Sequence, residues 1–329
     1  EGLRWSRQVA TSPITRIALH PELPQAVLFV RDGIRSGRLV GINWETGERL
    51  FETGVSGQPS YLEYSPQGTY IVYTITSFDS IYFLNARDGS RRDFLQEGFG
   101  VVGFVQMARS ERNVLTYVPS RGEFIYWQIQ SGNEIRTVAT RSRLEHLTLI
   151  DRDAQRSLAA ASGDELVVVD NLTGEIAASY PVSPIHDIAY DYESGRILVL
   201  TEQSGRRTTL AFRYTSGRLR RDFYQLQDLA SDTSAIEAVG SGPTRGFIAG
   251  SSAGEVAAFD DRNGRREVLG PGATSGFLDA AFTDGRLHLS TGNEILTLVS
   301  DLFDEDATET AARYLRESRI ELPEFTEVR

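Results

Sequence analysis

The sequence predicts an all-β fold that is assembled from repeats. Six short turn sequences each end at a glycine, and successive glycines are 42, 43, 42, 43 and 47 residues apart (Gly47, Gly89, Gly132, Gly174, Gly217 and Gly264). A sustained period of about 40–45 residues, with four strands in each repeat, is typical of a β-propeller. The chain is therefore predicted to form a ring of four-stranded sheets.

Each repeat carries a strand that ends shortly before its turn glycine, and Val168–Gly174 shows this most clearly. Its apolar residues suit a packed strand, and its Asp, Asn and Gly supply turn chemistry. Five and four residues before the six glycines lie the pairs Ile42-Asn43, Leu84-Asn85, Trp127-Gln128, Val169-Asp170, Phe212-Arg213 and Phe259-Asp260. The first member is always large and apolar, and the second is Asn or Asp in four repeats.

This pair resembles, in a degenerate form, the Trp-Asp position of WD-repeat propellers. Trp remains once, as Trp127, and Asp remains twice. The turn Ser65-Pro66-Gln67-Gly68 is likewise similar to the turn between the first two strands of many WD-repeat blades. By its period the resemblance covers nearly the whole chain. It implies a rigid platform whose loops bind a protein or peptide and which catalyses no reaction.

The repeats predict a seven-bladed β-propeller that is closed by the first strand of the chain. The seventh repeat supplies only three strands: Phe277–Phe282, Arg286–Ser290 and Glu294–Val299. Leu3–Val9 is predicted to be an outer strand that precedes the first repeat, so it can supply the missing fourth strand. Such pairing removes an exposed sheet edge. We expect the propeller to span residues 1–300 and a C-terminal extension to span residues 301–329.

Composition restricts the classes of function. The chain contains no Cys, which excludes disulfides, thiolate metal sites and cysteine nucleophiles. All 34 basic residues are Arg, and the net charge is −11. An acidic protein is a poor partner for a nucleic-acid backbone, so no nucleic-acid partner is expected. No apolar run reaches the roughly 18 residues of a membrane helix, so no direct membrane insertion is expected.

The sequence predicts no catalytic residue, no metal site and no cofactor. The chain has four histidines, which are His20, His146, His186 and His288. No two of them have the spacing of a pair of metal ligands. His20-Pro21 takes the place of the Ser-Pro turn in the first repeat, so His20 is expected to have a turn role. Asp187 opens a first strand that faces the channel, where a hydrogen bond in a turn is expected.

Charged residues are expected on the outer strands, where they block edge-to-edge association. The fifth repeat carries the densest group of arginines, and its Ser204–Arg207 segment is expected to form a longer polar loop. The arginines of this repeat are the candidate partner-binding residues on the propeller: Arg206, Arg207, Arg218, Arg220 and Arg221.

Asp301–Arg329 departs from the repeat and is predicted to be an acidic extension, with nine acids against four arginines. Thr308–Ile320 has helix-forming composition, with acids early and arginines late, and Leu322–Phe325 is predicted to be extended. The extension either packs on its own propeller, plugs the channel mouth or binds a partner. Its candidate contact residues are Tyr314, Leu315 and Phe325.

The predicted function is a non-catalytic protein-interaction platform that forms a subunit of a larger assembly. A second interpretation is a propeller enzyme of the lactonase or quinoprotein kind, which binds a small molecule or a metal at the channel mouth. A third is one module of an envelope assembly, with the acidic extension as its connector. Because the chain begins at Glu1 rather than Met and lacks Cys, an exported bacterial protein of the periplasm is favoured over a cytoplasmic one.

Overall fold

The structure, a computed structural model, is all-β in the part of the chain that it describes. The described residues are 3–8, 14–75, 80–96, 100–151, 154–191, 194–226, 229, 232–241, 244–251, 256–260, 266–268, 277–283, 286–291 and 294–299. Their strands form seven four-stranded antiparallel sheets, which are the blades of a propeller. Among these residues no helix is long and apolar enough to cross a membrane.

The first four blades each consist of four consecutive strands. Blade 1 contains β2 (Ile14–Leu19), β3 (Gln25–Arg31), β4 (Ser36–Asn43) and β5 (Arg49–Ser56). Blade 2 contains β6 (Pro59–Tyr64), β7 (Tyr70–Ile75), β8 (Ser80–Asn85) and β9 (Arg91–Gln96). Blade 3 contains β10 (Phe104–Met107), β11 (Asn113–Val118), β12 (Glu123–Gln128) and β13 (Glu134–Ala139). Blade 4 contains β14 (Glu145–Leu149), β15 (Ser157–Ser162), β16 (Glu165–Asp170) and β17 (Ile176–Pro181).

The next two blades follow the same order. Blade 5 contains β18 (Ile185–Asp191), β19 (Arg196–Gln203), β20 (Arg206–Thr215) and β21 (Arg218–Leu226). Blade 6 contains β22 (Thr233–Ser241), β23 (Thr244–Ser251), β24 (Val256–Asp260) and β25 (Arg266–Val268). The first strands of neighbouring blades contact one another. For example, β14 contacts β18, and β18 contacts β22. The first strands therefore line the centre of the ring.

Blade 7 joins the two ends of the propeller. It contains β26 (Phe277–Thr283), β27 (Arg286–Thr291) and β28 (Glu294–Val299), and its outer strand is β1 (Leu3–Gln8). β1 pairs antiparallel with β28, from Leu3 opposite Leu298 to Gln8 opposite Glu294. The predicted closure by the first strand of the chain is therefore confirmed.

The predicted repeat is confirmed by the backbone at its turn glycines. Five of the six have positive φ angles between 66° and 74°: Gly47, Gly89, Gly132, Gly174 and Gly217. The sixth, Gly264, lies outside the described residues. Glycine adopts this backbone conformation without the steric cost that a Cβ brings, which is why one glycine recurs in each repeat.

The predicted polar loop at Ser204–Arg207 is wrong. Gln203 pairs directly with Arg206, so β19 and β20 are joined by a two-residue turn. Both turn residues have positive φ, 52° at Ser204 and 76° at Gly205. Positive φ at both central residues matches the twist of a tight hairpin. Arg206 and Arg207 consequently belong to a strand and not to a loop.

Antiparallel pairing gives each blade two different ends. The turns between first and second strands and between third and fourth strands lie at one end, which forms one side of the ring, here named the turn face. The turns between second and third strands lie at the other end. The connections from each blade to the next also lie there, so this side is named the crossover face.

The core of the ring lies between blades. One cluster of buried side chains joins Phe29 and Leu39 of blade 1 to Ile71 and Leu84 of blade 2. Equivalent clusters join blades 2 and 3, blades 3 and 4, blades 4 and 5, and blades 5 and 6. The sheets of blades 2 to 5 thus bury both of their faces, which explains why their second and third strands read as nearly continuous apolar runs.

Trp127, the tryptophan of the WD-like pair, makes a buried polar contact inside blade 3. Its indole Nε1–H donates to Thr116 Oγ1 at 3.0 Å, and both side chains are almost fully buried. Since an indole nitrogen is a donor only, this hydroxyl satisfies its one requirement for a partner.

Polar contacts near the turn face tie neighbouring blades together. His20 of blade 1 accepts the backbone N–H groups of Glu22 and Leu23 at its Nδ1, at 3.0 and 2.9 Å. The ring also has a backbone hydrogen bond to Gly68 of blade 2. A Cβ at Gly68, whose φ is +73°, would lie 2.1 Å from His20 Nε2. His20 therefore has the turn role that the sequence predicts.

The same kind of contact joins blades 2, 3 and 4. Gln67 Nε2 of blade 2 donates to the carbonyl of Arg109 in blade 3 at 2.7 Å. Gln155 Oε1 of blade 4 accepts the N–H of Arg109 at 3.4 Å. These side chains come from equivalent turns between first and second strands, so a polar girdle runs along this part of the turn face.

Deletion of residues 1–10 is expected to destabilise the whole ring, because it exposes the edge of β28 and opens the closure. The loss is on the order of 3 kcal/mol or more, given about 0.5–1.5 kcal/mol for each hydrogen bond of the lost pairing. The thermal midpoint, followed by circular dichroism, should fall, and a synthetic peptide of residues 1–10 should partly restore it. An unchanged midpoint would contradict closure by β1.

Thr116→Val is expected to cost about 1–3 kcal/mol of stability, because it removes the hydroxyl that accepts the buried Trp127 N–H while keeping the shape of the side chain. Urea denaturation of Thr116→Val, Trp127→Phe and the double variant measures the coupling. In the Trp127→Phe background the Thr116→Val change should cost much less. Equal costs in both backgrounds would show that the hydrogen bond contributes nothing.

The fold is expected to lose stability in mild acid partly through His20. Burial lowers the pKa of His20 below its ordinary 6.5, so the unfolded chain binds a proton more readily than the folded chain. Stability should therefore fall as the pH drops below about 6.5. His20→Asn retains a side-chain acceptor for the turn but does not titrate. Its thermal midpoint should decline less than that of the wild type between pH 7 and pH 5, and parallel curves would refute this role.

Candidate interaction site

Blade 5 places a row of arginines across three neighbouring strands. Arg196 of β19 is the direct cross-strand partner of Arg213 in β20. Arg213 is in turn the direct partner of Arg220 in β21. Direct partners project from the same side of a sheet, with Cβ atoms about 4.5–5.5 Å apart. The three side chains, here named the arginine row, therefore run perpendicular to the strands near the turn face.

One carboxylate is shared by two members of the arginine row. Asp222 Oδ2 accepts the Nε–H of Arg196 at 3.1 Å and the Nε–H of Arg213 at 3.0 Å. Arg213 also donates from Nη1 to the carbonyl of Ser194 at 2.8 Å. These bonds fix the first two guanidinium groups in position. Among the described residues, no acidic side chain forms an ion pair with the third, Arg220.

Two further arginines extend the positive charge at this end of the blade. Arg218 and Arg221 flank Arg220 on β21, and all three are exposed. With the arginine row, this makes five arginines, here named the blade 5 basic surface. The described carboxylates beside them are Asp222 and the buried Asp191, which is paired across strands with Arg196.

This concentration has an energetic cost. Like charges directly opposite one another destabilise a sheet, and Arg213 faces an arginine on each side. Asp222 offsets part of that repulsion. Repulsion between like charges that is only partly offset is typical of a functional site.

The structure divides the five arginines that the sequence singles out. Arg218, Arg220 and Arg221 lie together at the turn face. Arg206 and Arg207 begin β20 at the opposite, crossover end. Arg218, Arg220 and Arg221 pair with positions of β20 that are five to nine residues from Arg206 and Arg207. Since a strand rises about 3.3 Å per residue, roughly 17–30 Å separate the two groups. The five arginines therefore do not form a single binding patch.

Arg207 at the crossover end is largely buried. Its Nη1 lies 3.9 Å from Glu202 Oε2, and 19% of its side chain is exposed. Glu202 is its direct cross-strand partner on β19, so the pair stays within one blade. Arg206 is exposed. The candidate contact residues of the acidic extension, Tyr314, Leu315 and Phe325, lie outside the described residues.

The sequence reasoning missed Arg196 and Arg213 as members of this surface. They stand 17 residues apart along the chain, and only the register of β19 against β20 shows that they are neighbours. In the sequence, Arg196 and Arg213 are equally distant from the hairpin turn at Ser204–Gly205. This symmetry indicates cross-strand pairing only if the turn is a tight hairpin, whereas the sequence analysis predicts a longer loop there.

The central channel offers polar groups but a different kind of site. The pairing of first and second strands shifts register near the start of six blades. Such bulges change the direction in which side chains project. They leave Thr15, Ser60 and His186 out of the cross-strand pairing. Tyr61 donates to Glu63 Oε2 at 2.5 Å, and burial raises the pKa of Tyr61 well above its ordinary value.

Asp187 serves as a link between two first strands. Its carboxylate accepts the N–H of Ile188 in its own strand and the N–H of Ile236 in blade 6, both at 2.9 Å. Burial raises the pKa of this carboxyl, and His146 Nδ1 lies 3.9 Å from it. The expected hydrogen-bonding role of Asp187 thus takes the form of a bridge between blades. Within the described part of the chain, no group of three or more ligand side chains could hold a metal ion.

The fold is shared with solved β-propellers. The structure resembles the crystal structure of the Cps50 (Swd1) β-propeller domain from Myceliophteria thermophila, with a TM-score of 0.73. The two chains are 13% identical, and the likeness covers 91% of this chain and 99% of the other. At this identity the likeness shows the fold alone.

The search of curated proteins finds no match to this sequence. A family model does match, over residues 4–258, which is more than half of the chain. That span runs from β1 into blade 6, and the resemblance to a propeller family is therefore confirmed. The chain belongs to the TP_0598_N family, which is described as an N-terminal beta-propeller domain.

Proposed function

We propose that the protein is a non-catalytic interaction platform that binds an acidic segment of a protein partner at the blade 5 basic surface. One observation carries this proposal. In a chain of net charge −11, the fold gathers five arginines at one end of a blade, where Asp222 forms ion pairs with Arg196 and Arg213. A positively charged surface on a negatively charged protein favours an acidic partner.

Arginine suits this role better than a lysine would. Its guanidinium is a planar fork of donors that can grip a carboxylate with two parallel hydrogen bonds. In the arginine row, Asp222 Oδ2 already accepts one Nε–H from each of two arginines within the chain, at 3.1 and 3.0 Å. A glutamate or aspartate of a partner would repeat the contact at Arg220, which lies at the outer end of the row.

The ring supplies a stiff base for this surface. Blade 5 packs through buried side chains against blade 4 and blade 6, so its strands hold their relative positions. The likeness to WD-repeat propellers supports a platform for protein partners and membership of a larger assembly. We further propose that residues 1–300 form the platform. Residues 301–329 then form an extension that contacts the propeller or the partner through Tyr314, Leu315 and Phe325.

Arg218→Glu/Arg220→Glu/Arg221→Glu is expected to weaken binding of an acidic probe at least tenfold, because three exposed attractive charges become repulsive. The probe is a synthetic peptide of ten glutamates, and its affinity is measured by fluorescence anisotropy. Wild-type affinity should also fall as salt rises from 50 to 300 mM, since exposed charges are screened. All three residues are exposed, so the fold should persist, as the thermal midpoint will show.

The control is Arg206→Glu, which reverses one exposed charge at the crossover end of the same blade. It should change the affinity less than about threefold if the turn face carries the site. Equal losses in both variants would indicate a general charge effect and overturn the proposed location. Cross-linking pull-downs from native extract, with the full chain and a version ending at Ser300, then show whether a natural partner follows the same pattern.

A further inference from the structure

The acidic extension of the chain begins on the turn face. Val299, the last residue of β28, is the direct partner of Arg286 at the start of β27. Arg286 is also paired with Thr283 at the end of β26, so Val299 lies beside the turn that joins the first two strands of blade 7. Turns between first and second strands lie on the turn face. Residues 301–329 are therefore tethered to the side of the ring that carries the blade 5 basic surface.

The part of the extension that follows this tether is strongly acidic. Asp304–Glu309 contains four acids in six residues and no arginine. The four arginines of the extension all come later, from Arg313 onward, where they alternate with its remaining glutamates. Asp304–Glu309 is therefore a compact segment of negative charge, and we name it the acidic segment.

The blade 5 basic surface has arginines that are available to further carboxylates. Asp222 occupies Arg196 and Arg213. Arg218 and Arg220 are exposed, and among the described residues no acidic side chain forms an ion pair with either. They are two positions apart on β21, so they project from the same side of the sheet, about 7 Å apart. Carboxylates that are close together in sequence can pair with both at once.

The acidic segment is long enough to reach these arginines. Blade 5 is two blades from blade 7, because β18 contacts β22 and β22 contacts β26. Packed sheets are about 10 Å apart and the blades diverge outward, so the path along the turn face is roughly 20–30 Å. From Val299, the chain can span about 17 Å to Asp304 and about 33 Å to Glu309. The carboxylates of the acidic segment therefore fall within this range.

Other arginines of the turn face have carboxylates of their own. Arg156 of blade 4 donates from Nε to Asp170 Oδ2 at 2.7 Å. The turn of blade 2 is also two blades from blade 7, in the opposite direction around the ring, since β26 contacts β2 and β2 contacts β6. It carries Arg87 and Arg92, but Asp88 lies between them in the sequence. Charge complementarity therefore favours blade 5 over a site at equal distance.

We propose that the acidic segment docks on the blade 5 basic surface of its own chain, where its carboxylates pair with Arg218 and Arg220. This rests on the proposed function, whose site it shares, and it adds a regulator to that site. The acidic partner must displace the segment before it gains the same arginines. Binding at the basic surface is thereby restricted to partners that pair with it more strongly than the chain's own tail.

Tethering determines how strong this competition is. A segment on a short linker has an effective concentration of about 1 mM at a site within its reach. If the untethered segment binds with a dissociation constant of about 0.1–0.5 mM, the apparent dissociation constant of a competing acidic probe rises about three- to tenfold. Weak ion pairs at an exposed surface are therefore sufficient to regulate the site.

The first test neutralises the four carboxylates of the acidic segment in the full chain and keeps their size: Asp304→Asn/Glu305→Gln/Asp306→Asn/Glu309→Gln. This variant should bind the ten-glutamate peptide about three- to tenfold more tightly than the wild type does, because the competitor is lost. Fluorescence anisotropy at 50 mM salt measures both affinities. The difference should shrink at 300 mM salt, where exposed charges are screened.

A matched variant removes the same number of charges from the later part of the same extension: Glu317→Gln/Glu321→Gln/Glu324→Gln/Glu327→Gln. It controls for the general effect of net charge on the binding of an acidic peptide. Its affinity should rise less than about twofold, because these glutamates alternate with arginines and lie outside the acidic segment.

The second test locates the segment with introduced cysteines, since the chain has no Cys of its own. Ala307→Cys is combined with Thr215→Cys, an exposed position opposite Arg218 in blade 5. The comparison combines Ala307→Cys with Ser90→Cys, an exposed position at the turn of blade 2. Under one oxidant and at equal dilution, the blade 5 pair should form its disulfide at least about tenfold faster, as non-reducing electrophoresis shows.

Charge reversal then links this cross-link to the arginines. Arg218→Glu/Arg220→Glu should remove the preference for the blade 5 pair, because the acidic segment then meets repulsive charges. Arg87→Glu/Arg92→Glu reverses two exposed charges on the same face at the turn of blade 2, and it should leave the preference intact. All four arginines are exposed, so thermal midpoints should stay close to that of the wild type.

Several results would overturn the docking. Equal rates for the two cysteine pairs would show that the segment has no preference for blade 5, and cross-linked dimers in place of monomers would make a second copy its target. Equal gains in peptide affinity from the two neutralised variants, or no gain from either, would remove the competition.

Failure of the docking and failure of the proposed function give different results. If the peptide binds at the blade 5 arginines and the cysteine pairs show no preference, the docking is refuted and the platform stands. If the blade 5 cross-link forms and the peptide binds to neither the wild type nor the neutralised variant, the docking stands and the platform for an acidic partner is refuted.

Discussion

Closure of the ring by β1 and β28 is the constraint on which the rest of the structure depends. The blades bury apolar side chains mainly against one another, so no blade has a complete core of its own. Removing one pairing from a closed ring exposes a sheet edge and loosens the packing of the blades beside it. The pairing from Leu3 to Gln8 is therefore worth more than its own hydrogen bonds.

The turn face brings together the groups that can recognise a partner. The polar girdle through His20, Gln67 and Gln155 holds neighbouring turns at fixed spacing. The blade 5 basic surface lies on this same side of the ring, in a blade that packs against blade 4. The fixed turns and this packing hold its arginines in place.

The sequence predicted the fold well because the fold depends on local signals that repeat. The turn glycines require positive φ, and the three-stranded last repeat required a fourth strand from elsewhere. The candidate site was predicted only in part. Arg218, Arg220 and Arg221 are adjacent in sequence, but the contribution of Arg213 depends on strand register. The hydrogen bond from Ile236 to Asp187 depends on how blades 5 and 6 pack, and no local pattern encodes such a contact.

The order in which the chain is made gives the closure a further consequence. β1 leaves the ribosome well before its partner β28, which begins at Glu294. At about 5–20 residues per second, β1 waits on the order of 15–60 s for its partner. During that time it is an unpaired strand that can add to any exposed edge, including that of another nascent copy. Until blade 7 is complete, Leu3–Gln8 therefore carries a risk of pairing with another chain.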